Sequence, residues 1–149
     1  MSAIWDWALA AYDRPGLPQA CLALQDEHGQ NTAFLLWAAW AGVGDPELLA
    51  RGADLAARWE AEALGPLRAA RRALKAPFPP LDDAARLALR EQVKGIELQA
   101  ERLLMEGLAA LAGPGPGGVE PRAALTAASR AWKSLAPDTA LAALATALG

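Results

Sequence analysis

"DDAARLALREQVKGIELQAERLLMEGLAALA", residues 82–112, contains no proline, and its apolar residues recur at helical spacing. Leu89, Val93, Ile96, Ala100, Leu103, Gly107 and Leu111 follow one another at intervals of three and four, the period of one helix face. The spacing predicts a single helix over 83–112, about 45 Å long at 1.5 Å per residue, with that stripe against a partner throughout. A helix of this length needs neighbours. The rest of the chain is rich in Ala and Leu, poor in Val, Ile and Tyr, and shows no sustained apolar/polar alternation, so an all-α fold is expected.

Proline and glycine divide the remainder into further helices. Residues 3–12 end at "DRPG", where Pro15 and Gly16 suit the centre of a type II turn. A second segment runs from Pro18 to His28 with Gly29 as its C-terminal cap, and Asn31 or Thr32 caps a third that reaches Ala41. "GDPELL" places Asp45 as N-cap and Pro46 at the first helical position of a fourth, expected to stop near Leu64 because Gly65 and Pro66 follow. "PLRAARRALK" forms a short fifth segment before the rigid "APFPPLDD". Beyond the long helix, "GPGPGG" at 113–118 reads as a flexible connector to a C-terminal helix pair, 121–135 and 138–148. The expectation is therefore one domain over 1–149, a bundle of seven to eight helices around the long helix and a central one. That central helix is residues 33–42, "AFLLWAAWAG", which has no polar face and must be buried among others.

The chain has 149 residues, 54% of them hydrophobic, enough for one core. Its longest charge-free apolar run, Ala33 to Val43, is 11 residues against the roughly 20 a bilayer span requires, so no membrane span is expected. The N-terminus shows no basic leader or cleavage pattern, and one Cys forms no internal disulfide, so a cytoplasmic location is expected.

"QACLALQDEHGQN", residues 19–31, gathers Cys21, two carboxylates and the sole His28. Cys21 and His28 lie seven residues apart on one helix, about 10 Å, too far for a direct thiolate–imidazole pair. Leu17, Cys21, Leu24 and His28 form a stripe, and the polar cluster reads as a helix terminus. The lone His also leaves a structural zinc site or a di-iron bundle without ligands, so no metal, cofactor or catalytic residue is expected.

One segment is locally cationic: residues 63–80 carry four basic groups and no acid, whereas residues 1–62 carry a net charge of −6. Arg68, Arg71, Arg72 and Lys75 share one face at spacings of three, one and three. Two fates are open to them, a face salt-bridged to Glu60, Glu62, Glu91, Glu97 and Glu101, or an anion and partner site. The expected function is a non-enzymatic adaptor or regulator contacting a protein partner, an acidic one fitting this face best. The alternative is a small-ligand binder or enzyme with a pocket lined by Trp37, Trp40 and Trp59 and an arginine clamp. An acidic protein is a poor nucleic-acid binder, so that class is not expected. The apolar helix 138–148 packs into the bundle or forms a homodimer contact.

"WDWAL" at 5–9, "RPG" at 14–16, "ACLALQ" at 20–25, Gly29, "LLWAAW" at 35–40 and "PLRAARRALK" at 66–75 together resemble a family of short proteobacterial proteins of unknown function. The resemblance spans residues 4–76. It implies an intracellular bacterial helical protein and brings no mechanism.

Overall fold

The structure, a computed structural model, describes residues 2–149. Among them the only regular elements are helices, with no strand. In chain order the helices are α1 (Ala3–Tyr12), α2 (Leu17–His28), α3 (Thr32–Ala41), α4 (Pro46–Trp59), a π-helical turn (Glu60–Leu64), α5 (Gly65–Ala73), α6 (Asp83–Leu111), α7 (Pro121–Ala131) and α8 (Asp138–Leu148).

Local chemistry sets most of these boundaries. The Asn31 side chain accepts from the Phe34 N–H at 3.0 Å and Asp82 from the Ala85 N–H at 2.7 Å, each satisfying a donor that the first helical turn leaves unpaired. Gly16, Gly29 and Gly42 take φ of 83°, 62° and 67°, the left-handed turns that start α2, stop α2 and stop α3. The centre is α3. Phe34, Leu35, Leu36 and Trp37 are all fully buried there, among α4, α6 and α7. Gly52 on α4 makes that approach possible: a β-carbon at this position would sit 2.5 Å from the Trp37 ring. α8 covers α2 and α7 with Leu141, Leu144 and Leu148, all buried within the chain. The 113–118 connector lies against the α3–α4 turn, where the Val119 N–H just beyond it donates to the Gly42 carbonyl at 2.9 Å.

Three expectations change. First, the fourth helix does not stop at Gly65 and Pro66. α4, the π turn and α5 run on with helical backbone, because the Gly65 N–H reaches back five residues to the Glu60 carbonyl. One extra residue in the turn moves the proline ring off the carbonyl it would strike in a regular helix. Gly65 is required at this point, since a β-carbon there would lie 2.9 Å from the Glu60 carbonyl oxygen.

Second, α6 is rotated from its predicted phase. Of the predicted stripe only Ala100 is buried, while Leu89, Ile96 and Leu103 are exposed. The buried set is Arg86, Glu97, Ala100, Leu104, Met105 and Leu108, roughly a quarter turn round the helix. The core reaches α6 only from Ala100 onward; before that, α6 packs on α5 through charged groups.

Third, α7 ends at Ala131 rather than 135. Trp132 turns extended to bury its ring and donate Nε1–H to the Gly29 carbonyl at 2.9 Å, and Ser129 Oγ accepts from the Ala136 N–H at 2.8 Å.

Candidate binding site

The helical rod Pro46–Ala73 carries Arg68, Arg71 and Arg72 to α6, the π turn sets their bearing, and Lys75 follows in the turn just beyond. Arg68 is turned inward with its side chain 11% exposed. Its Nη1 donates to Glu60 Oε1 at 3.0 Å, its Nε stands 3.5 Å from Glu97 Oε1, and its Nη2 is 4.0 Å from Glu101 Oε1. Arg71 forks onto Glu97 through Nε at 2.6 Å and Nη2 at 3.4 Å. Three carboxylates thus surround two guanidinium groups. Burial raises the Glu101 carboxyl above its ordinary range, with Arg68 pulling the other way and Glu97 adding to the rise.

Arg72 and Lys75 have a different environment. Arg72 is 64% exposed, its nearest carboxylate being Asp26 at 3.8 Å. Lys75 is exposed, and no ion pair joins it among the described residues. The face read as one cationic stripe therefore divides: Arg68 and Arg71 are neutralised within the chain, and Arg72 and Lys75 present their charge outward. Between α2 and the rod lies an open cleft of about 380 Å³ lined by Gln25, Asp26, Gln30, Glu60, Arg68 and Arg72. Its charged groups balance in sign.

The three tryptophans do not gather around one space. Trp37 is fully buried and donates to the Ala112 carbonyl at 2.9 Å, whereas Trp59 donates to the Ala100 carbonyl at 2.9 Å, about 18 Å away along α6. Trp40, half-buried, borders the Gly113 end of the connector. Cys21 is buried, and burial pushes its thiol up to about 11, with the Glu101 charge acting in the same sense and the hydrogen bond with Tyr12 opposing. It is a protonated, enclosed thiol at neutral pH. His28 occupies the last turn of α2, with Nε2 3.9 Å from Glu27.

Two features escaped the sequence reading. Arg86, 8% exposed, donates through Nη1 to the Leu74 carbonyl at 2.6 Å and the Lys75 carbonyl at 3.0 Å. It caps the C-terminus of α5, where backbone carbonyls are unpaired and a cation is favoured. The signal available was a basic residue one turn after the "APFPPLDD" linker. The second feature is the end of the α5–α6 hairpin. Phe78 is 64% exposed and Leu81 61% exposed in a loop stiffened by Pro77, Pro79 and Pro80 and closed by the Leu81 N–H donating to the Phe78 carbonyl at 2.8 Å. The "FPPL" spelling carries that signal, since a proline-rich loop has no core to bury its apolar side chains.

The family model described as "Protein of unknown function (DUF2390)" matches residues 3–108. This chain belongs to that family. Its span takes in α1 through most of α6, and with them the Arg68–Glu97 network and the hairpin end. No curated protein matches, and no solved structure matches.

Among the described residues no helix is long and apolar enough to cross a membrane.

Proposed function

We propose that this protein is a non-enzymatic adaptor or regulator of the bacterial cytoplasm that works by contacting another protein, and that the contact is the end of the α5–α6 hairpin. The observation that carries the reading is the pairing of Phe78 and Leu81, each more than 60% exposed, with the exposed cations Arg72 and Lys75 on the adjoining turn. Exposed aromatic and aliphatic side chains beside cations form a surface suited to an apolar segment flanked by acidic residues. Preorganisation by the prolines lowers the ordering cost of binding.

Arg68 and Arg71 then act beneath the surface, holding the rod to α6. A partner site on all four residues would require breaking ion pairs at 2.6 Å and 3.0 Å, which disfavours that wider version. An arginine clamp for a small anion is disfavoured for the same reason.

The test is quantitative affinity capture from native lysate with wild type and two variants, Phe78→Ser/Leu81→Ser and Arg72→Glu/Lys75→Glu. Both should keep the wild-type melting temperature and lose the same captured protein, with wild-type capture weakening as salt rises. Identical capture by wild type and both folded variants would remove the hairpin end from the function.

A further inference from the structure

The orientation of α6 leaves a second surface, on a different side of that helix from its contacts with α5. Leu89, Gln92, Ile96, Gln99 and Leu103 are all exposed and follow one another at intervals of three, four, three and four, the seam of a heptad repeat. Leu89, Ile96 and Leu103 are 49%, 51% and 61% exposed, an unusual outlay of large aliphatic side chains at seven-residue intervals. We propose that this seam docks against the same seam of a second copy of the chain, with Ile96 at the two-fold axis.

Chemistry selects a second copy over other occupants. From Ala85 to Leu103 the seam and its exposed neighbour Ala88 bear no charge, so it offers nothing to recognise an acidic or a basic partner. The charge flanking it is satisfied on its own helix, Arg102 by Glu106 at 3.0 Å. A glutamine amide both donates and accepts, so Gln92 and Gln99 are complementary to the amides of an identical helix. The spacing is nearly symmetric about Ile96, with Leu89 seven residues before and Leu103 seven after, as a self-complementary contact requires. A lipid surface is disfavoured because α6 has four basic and five acidic residues, without the cationic border of an interfacial helix. The leucines of α8 are already buried within the chain, so the contact falls on α6.

The experiment is sedimentation velocity on the full chain across concentration, with Ile96→Glu and Leu103→Lys compared with wild type, and mild oxidation of Ile96→Cys compared with Leu98→Cys. Wild type should approach twice 15.6 kDa as concentration rises, and both seam variants should stay monomeric with unchanged melting curves. Ile96→Cys should cross-link to a covalent dimer at least ten times faster than Leu98→Cys, which is 50% exposed on the other flank. A wild-type monomer at about 1 mM, a dimer that survives both seam variants, or equal cross-linking at 96 and 98 would each overturn the proposal. Should one charged variant fail to fold, the other and the cross-linking comparison still decide it.

Discussion

Arg71 Nε and Glu97 Oε2 lie 2.6 Å apart, joining α5 to α6 at a glutamate whose side chain is only 11% exposed. Removing the carboxylate leaves two guanidinium groups facing each other in a partly dry contact. Glu97→Ala should cost about 3 kcal/mol, the lower end for breaking a buried pair, whereas Glu97→Leu should recover part of that loss only if combined with Arg71→Met. Urea unfolding of the three proteins measures it; a cost under about 0.5 kcal/mol for Glu97→Ala would mean the network carries no stability.

Arg86 holds the last carbonyls of α5 through Nη1 while its Nη2 donates to Asp83 Oδ1 at 3.3 Å, so its loss should loosen the hairpin locally. Arg86→Ala is expected to cost about 2 kcal/mol through carbonyls left without a charged donor. The same variant should raise hydrogen-exchange rates in residues 70–82 before those of α3. Uniformly faster exchange across the bundle would show that the cap supports the whole core instead.

Gly52→Ala should be more damaging than a helix-favouring substitution ordinarily is. The new methyl would fall 2.5 Å from the Trp37 ring and 3.1 Å from Phe34, forcing the two helices apart there. Overpacking of this kind costs about 1–3 kcal/mol, more than the gain of roughly 1 kcal/mol from replacing glycine. Near-ultraviolet circular dichroism should report the disturbed indole, and an unchanged spectrum with raised stability would contradict the packing described.

Glu101 gives the fold a pH dependence. Its carboxyl is held above the ordinary value of 4.5, mainly by burial, so the folded state binds that proton more tightly than the unfolded chain does. The associated stability is fully present below about pH 4.5 and is lost as pH rises through the folded value. Glu101→Gln should therefore melt higher than wild type at pH 7 and 8, by a few degrees at most, with the advantage shrinking toward pH 4. A variant less stable than wild type at pH 8 would assign Glu101 a net favourable pairing with Arg68.

The sequence carries these features unequally. Caps and turns were legible because their chemistry is local: Asn31, Asp45, Gly16 and Gly29 act on neighbours within a few residues. Burial of α3 was legible because a helix without a polar face has few alternatives. The phase of α6 was not, since two stripes a quarter turn apart both satisfy helical spacing, and the choice between them rests on what α5 presents. Charged side chains turned inward, Arg86 and Glu97, are hidden from a reading that assigns charge to solvent. The arginine face was legible as a cluster; its division into two internally paired and two outward residues depends on distances that only the folded hairpin defines.

Every residue added to a helix advances its compass bearing by about 100°, and the π turn at Glu60–Leu64 adds one step outside the regular count. Arg68 and Arg71 meet Glu97 because of that added step. The ion network is accordingly governed by chain length as well as by composition. Shortening or lengthening the turn by one residue, with every charged side chain retained, would swing the arginines about a quarter of the way round and leave their carboxylates facing a different side of the rod.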